Sequence, residues 1–225
     1  MTRSFNFAGQ IFEVAGDAAL YWPAQHALLV ADLHLEKASS YATGGQMLPP
    51  YDSLSTLAEL ATLASAFDVE TIICLGDNFH DNGGEARLDG EAAALLRQLT
   101  GHFDWKWITG NHDPHLAARW GGAAIADFAA SGIVLRHEAH PHDSTPEISG
   151  HFHPKYRAVM RKRMLSRRCF VQTATKIIMP AFGALTGGMD AGHGAIRSAC
   201  GLTRSDVMAA LVPVNGGLAR FALAA

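Results

Sequence analysis

The sequence predicts a layered α/β fold with sheets packed between helices. Three observations lead there. Strand-like apolar runs alternate with amphipathic helical stretches in the first half, the second half is strand-rich, and polar residues cluster directly after the apolar runs. Gln10 to Val14 reads as a strand and Gly16-Asp17 as a turn, with Ala19 to Trp22 and His26 to Ala31 as further strands around Pro23. Pro49-Pro50 punctuates the chain before a helix over Tyr51 to Phe67, where Leu54, Leu57, Leu60 and Leu63 recur at helical spacing. Thr71 to Leu75 has the length and composition of a buried strand, Leu88 to Leu99 reads as an amphipathic helix, and Asp104 to Ile108 as a strand. Ile133 to Arg136, Glu147 to Ser149, two or three short strands between Arg157 and Pro180, and a last strand centred on Ala210 to Val214 complete the expectation.

A chain of 225 residues is long enough for a sizeable core, and one domain over 1–225 is expected. An apolar share of 48% with 17% charged residues excludes global disorder. The net charge of −3 does not predict a polyanion binder, so any such site is a local patch. Cys74, Cys169 and Cys200 are odd in number and form no CxxC pair, which disfavours a disulfide framework and a thiolate zinc site; Cys74 reads as a small buried residue. No stretch approaches the roughly 20 apolar residues of a membrane span, and the first residues lead into no apolar targeting segment, so a cytoplasmic location is expected.

Four polar clusters each follow an apolar strand: Asp32-Leu33-His34, Gly76-Asp77-Asn78, Gly110-Asn111-His112-Asp113 and Gly150-His151-Phe152-His153. Open α/β folds build their sites at the carboxyl ends of strands, on loops carried by a rigid scaffold. Carboxylate, imidazole and amide oxygen are the donors that divalent ions such as Mn²⁺ take. The i, i+2 spacing in Asp32-Leu33-His34 and His151-Phe152-His153 puts two donors on one face of an extended segment. Glycine beside Asp77, Asn111 and His151 frees the backbone to turn sharply. Two ions about 4 Å apart need a shared carboxylate between them, and Asp77 is the natural bridge.

In this order the clusters resemble the calcineurin-like metallophosphoesterase superfamily, whose usual lone His between the third and last motifs is matched by His137 after Ile133 to Arg136. The resemblance implies a four-layer α/β/β/α sandwich of two mixed sheets, with two divalent metal ions. Asp32, His34 and His153 would hold one ion, Asn111, His137 and His151 the other, and Asp77 both. His112 would face the phosphate and stabilise the transition state or protonate the leaving oxygen, with Asp113 orienting it. Longer matches narrow the likeness: Asp-Leu-His-Leu-Glu-Lys at 32–37, Leu-Pro-Pro-Tyr-Asp at 48–52, Gly-Asp-Asn-Phe-His-Asp at 76–81, Gly-His-Phe-His-Pro-Lys at 150–155 and Pro-Ala-Phe-Gly-Ala-Leu-Thr-Gly-Gly at 180–188. Together they resemble the bacterial ligase-associated DNA damage response endonucleases, the PdeM-like family. That likeness implies a DNA phosphodiesterase in repair, on single-stranded or structured DNA, associated with an ATP-dependent ligase, a helicase and an exonuclease. The alternatives are a phosphatase or phosphodiesterase for a small nucleotide-like substrate, and a catalytically silent metal-binding scaffold.

Outside the clusters, seven of the chain's 18 Lys and Arg fall within residues 155–168. In one extended strand, Lys155, Arg157, Arg161 and Arg163 share a basic face that leads away from His153 as a track for phosphates, with Tyr156 and Phe170 as stacking candidates. The competing reading is an edge strand protected from aggregation by charge. His80 and Asp81 either line the cleft or serve helix entry, His115 reads as a helix start, and the glycines from Gly183 to Gly194 read as a loop near the cleft.

Overall fold

Strands whose side chains alternate between two apolar layers set the architecture. The structure is a computed structural model and describes residues 3–223. In chain order, β1 (Ser4–Phe7), β2 (Gln10–Ala15), β3 (Ala19–Trp22) and β4 (Ala27–Val30) lead to α1 (Lys37–Thr43) and α2 (Asp52–Ala66). β5 (Thr71–Leu75), α3 (Gly84–Arg87), α4 (Gly90–His102), β6 (Asp104–Ile108) and β7 (Ala123–Ile125) complete one seven-stranded sheet in the order β1 to β7. Its first strands pair antiparallel and β4 to β7 pair parallel. The second half supplies β8 (Phe128–Ala130), β9 (Ile133–Leu135), β10 (Glu147–Ser149), β11 (Lys155–Met160), β12 (Arg163–Arg168), β13 (Phe170–Gln172), β14 (Lys176–Ile178), α5 (Gly194–Ala199), β15 (Met208–Val214) and β16 (Gly217–Leu223). The second seven-stranded sheet runs β16-β15-β13-β14-β10-β9-β8, and β11 and β12 stand apart as a pair.

The central strands are apolar throughout because both faces are covered. Leu28, Val30, Ile72 and Cys74 face Leu57 and Leu60 of α2 and Leu96 and Leu99 of α4. Their neighbours Leu29, Ile73 and Leu75 point the other way, onto Ile133, Leu135, Ile148, Phe170 and Ile177 of the second sheet. That sheet turns Val171, Ile178, Ala210 and Val212 toward Ile196 and Cys200 around α5. Helices, sheet, sheet and helix thus form four layers, as expected. The three cysteines are free and buried.

The second half departs from expectation between Lys155 and Pro180, where four strands stand in place of two or three. The single basic strand does not exist. Arg161 and Lys162, with φ of +49° and +64°, form a two-residue turn that folds the segment into a hairpin. Lys155 and Arg157 therefore share a face with Met164, Ser166 and Arg168, while Arg163 lies on the opposite face with Arg167. Phe170 is fully buried, and Tyr156 stacks on Phe221 at 4.5 Å between ring centroids, so neither is a free stacking surface. His115 sits in a turn and starts no helix. No helix among the described residues is long and apolar enough to cross a membrane.

Candidate metal centre

The carboxyl ends of β4, β5 and β6 in one sheet meet those of β9 and β10 in the other. Parallel pairing of β4 with β5 continues past the strands, where His34 N–H donates to Asp77 O at 2.9 Å and Leu35 N–H to Asn78 O at 2.9 Å. Asp32 Oδ2 accepts the backbone N–H of His151 at 3.0 Å, which joins the first cluster to the last. Asp77 Oδ1 accepts the backbone N–H of His112 at 2.9 Å, joining the second to the third.

The glycines are there mostly for proximity. A Cβ on Gly76 would strike the His137 ring, one on Gly110 would strike Asp77, and one on Gly150 would lie 2.5 Å from Asp32 Oδ2. Gly76 alone of the three needs the left-handed region, at φ +78°. The turning falls on the candidate ligands themselves. Asp32, His34, Asp77, His151 and His153 have φ of +53°, +44°, +46°, +71° and +47°, conformations that cost about 1–3 kcal/mol each and persist only where surrounding contacts enforce them.

These residues gather into adjoining groups. Asp32, His34 and His153 offer donor atoms within 4.8 Å of one another, as do Asp77, His137 and His151. His34 Nε2 faces His153 Nε2 at 3.3 Å, and His153 Nε2 lies 3.4 Å from Asp32 Oδ1. In the second group His137 Nε2 lies 2.8 Å from Asn111 Oδ1, 3.4 Å from Asp77 Oδ1 and 3.1 Å from His151 Nδ1. Asp77 also points Oδ2 toward His34 Nε2 at 3.9 Å, so its two oxygens face the two groups. With donors about 2.1 Å from a cation, neighbouring ligands stand about 3.0 Å apart in an octahedron and about 3.4 Å apart in a tetrahedron. The donor types and separations fit a pair of divalent ions.

Hydrogen bonds and burial prepare the imidazoles to act as ligands. His137 Nδ1–H donates to Leu75 O at 3.1 Å, which leaves Nε2 free to coordinate. Burial, then the neighbouring His153 and His112, push His34 down to about 2, so it stays neutral and keeps its lone pair. Burial and His137 lower His151 likewise.

Asp113 has a different position from the one the motif implies. Its buried carboxylate accepts from Asn78 N–H at 2.9 Å, Asn78 Nδ2 at 3.0 Å, Phe79 N–H at 3.1 Å and Gly110 N–H at 3.0 Å. It fastens the loop after β5 to the loop after β6, and burial raises its pKa despite those donors. The His112 ring is oriented instead by the His80 carbonyl, which accepts Nδ1–H at 2.7 Å. His80 also groups with His34 and His112, its Nδ1 lying 3.4 Å from His34 Nδ1, so it lines the cleft. Asn78 was invisible as a site residue because its task is to hold backbone. Asp81 pairs with Arg87 at 2.7 Å at the start of α3.

The basic residues of the hairpin divide. Lys155 Nζ donates to Thr186 O at 3.3 Å and Arg157 to Gly188 O at 3.4 Å, so both hold the glycine-rich loop beside the cleft. Arg161 and Arg163 are exposed at the far end.

Comparison with known proteins agrees with this geometry. A nuclease from Pseudomonas putida, known from its crystal structure, is 30% identical with a TM-score of 0.71, covering 94% of this chain and 96% of its own. A conserved uncharacterized protein from Streptococcus pneumoniae aligns over 93% of this chain and 99% of its own at 11% identity and a TM-score of 0.33, too distant to inform the site. No curated protein matches. Residues 26–165, which include every candidate ligand, match the calcineurin-like phosphoesterase family. The chain belongs to that family, and it is a hydrolase of phosphate esters.

Proposed function

We propose that the chain is a single-domain two-metal phosphodiesterase that cleaves DNA, with Asp32, His34 and His153 on one ion, Asn111, His137 and His151 on the other, and Asp77 shared. The observation that carries this reading is the placement of the Asp77 carboxylate, 3.4 Å from His137 Nε2 and 3.9 Å from His34 Nε2, between two groups of donors. The likeness to a nuclease supports DNA as substrate. Mn²⁺ suits the mixed carboxylate and imidazole donors. Cytoplasmic repair alongside a ligase, a helicase and an exonuclease follows from the motif resemblance.

Bound divalent ions would supply charge neutralisation at the phosphate and a water acidic enough to attack it. The protein's own contribution is placement and proton supply. Backbone and side-chain hydrogen bonds cross-tie the loops after β4, β5, β6, β9 and β10. His112 Nε2 lies 3.9 Å from Asp77 Oδ2, at the rim of the site. With Nδ1–H committed to the His80 carbonyl, protonated Nε2 is the atom that hands a proton to the departing oxygen. No side-chain nucleophile enters this scheme.

The test offers Mn²⁺-loaded protein circular single-stranded DNA, linear DNA, and a small phosphodiester and monoester in parallel. Cleavage of the circle is expected and demonstrates endonuclease action. Turnover of the small esters alone would replace this reading with a small-molecule phosphoesterase.

A further inference from the structure

Lys37 and Tyr41 stand one helical turn apart on α1, just after the first metal cluster. Residues four apart share a helix face, and Lys37 Nζ lies 6.0 Å from the Tyr41 ring centroid. The Tyr41 ring packs on that of His80 at 5.7 Å and 31°, and His80 packs on His112 at 5.3 Å and 26°. The three rings form a tilted column from the surface, where Tyr41 is 37% exposed, to the residue at the rim of the metal site.

Core packing does not account for either side chain, since Ala38 is the buried residue of α1. Of the nearby acids, Glu36 Oε1 accepts the Ser53 hydroxyl at 2.8 Å and Asp52 Oδ2 accepts the Ala38 N–H at 3.0 Å, and among the described residues no ion pair joins either to Lys37. A cation and a partly exposed aromatic ring beside a phosphoesterase site are the chemistry of single-stranded nucleic acid recognition, in which bases stack and phosphates pair with cations.

We propose that Lys37 and Tyr41 form a nucleotide subsite beside the cleavage site, with Lys37 taking a phosphate that flanks the scissile one and Tyr41 taking the attached base. This rests on the phosphodiesterase reading above and adds which part of the strand is gripped. Stacking tolerates every base, so the subsite selects for a nucleotide without selecting sequence.

The test compares metal-loaded wild type with Tyr41→Ala, Tyr41→Phe and Lys37→Met. Thymidine 5′-(p-nitrophenyl phosphate) and methyl p-nitrophenyl phosphate share the reacting group, and only the first carries a base. Tyr41→Ala should raise the ratio of their KM values roughly tenfold, the size of a lost stack, while Tyr41→Phe keeps the wild-type ratio. Lys37→Met should weaken binding of a fluorescent single-stranded oligonucleotide and reduce the slope of log K against log salt by about 0.7. An unchanged ratio in Tyr41→Ala, an equal loss on both esters, or an unchanged salt slope in Lys37→Met overturns the subsite. If wild type turns over both esters but leaves DNA intact, the DNA reading fails, and the ester ratio still decides the subsite.

Discussion

The Asp113 carboxylate accepts both the backbone and the side-chain N–H of Asn78, at 2.9 and 3.0 Å, and thereby sets where Asp77 stands. Asp113→Ala should weaken metal affinity about 10- to 100-fold, as loss of groups that support ligands does. Calorimetric Mn²⁺ titration checks it. Unchanged affinity with a fall in kcat alone would return Asp113 to the role of orienting His112.

Asp77→Ala and His112→Ala should separate cleanly. The first removes the carboxylate proposed to be shared, and metal analysis of the purified variant should find both ions lost together with turnover. The second should keep its metal while kcat on a small diester falls about 10²–10⁴-fold. Loss of metal from His112→Ala would make that residue a ligand.

Glu147 and Lys176 pair at 2.9 Å with exposures of 0% and 1%, opposite one another at the start of β10 and β14, and β10 leads to His151. Glu147→Gln removes the carboxylate charge facing Arg136 at 3.3 Å and the buried Lys176 ammonium, which keeps only its donation to Asp143 O, and breaking such a buried pair costs about 3–5 kcal/mol. Urea unfolding measures it, and a loss under about 1 kcal/mol would mean that the interior adapts.

Burial pushes Asp81 up, but the Arg87 and Ser40 side chains and the Gly83 N–H outweigh it and hold the carboxyl at about 2, from an ordinary 3.8. A depressed carboxylate stabilises the fold above its unfolded pKa, and that contribution is lost as pH falls through the folded value. The urea midpoints of wild type and Asp81→Asn should therefore differ at pH 6 and draw together as pH falls from about 4 toward about 2. A gap independent of pH would place the effect in packing.

Arg161 and Arg163 remain exposed cations after the hairpin is taken into account. Arg161→Asn, which suits the left-handed turn, combined with Arg163→Gln should flatten the salt dependence of single-strand binding by up to about 1.4 in slope. Anisotropy at several salt concentrations reads it, and an unchanged slope would leave the hairpin as charge-protected edge.

Much of the site was legible because its donors sit in short motifs at strand ends. Asp32, Asp77, Asn111 and His151 each follow a run such as Ile72 to Leu75, whose uniform apolarity signals a strand covered on both faces. His137 is expected from its position after Ile133 to Arg136, and the structure places it with Asp77 and His151, its Nδ1–H donating to the Leu75 carbonyl. The hairpin was misread because parity along 155–164 looks the same whether or not the chain reverses; two left-handed residues, neither of them glycine, make that reversal, and Arg and Lys announce no turn. The partners of Asp113 were not legible, because sequence adjacency to His112 says nothing about backbone donors 34 and 35 residues away. The short strands β7 and β8 were missed since Ala-rich segments carry little alternation.

Asp32 and the backbone of His151 are joined across 119 residues and between two sheets. On the proposed ligand set, neither half of the polypeptide supplies every donor. A binding site built from both groups would therefore require the second sheet to be in place against the first.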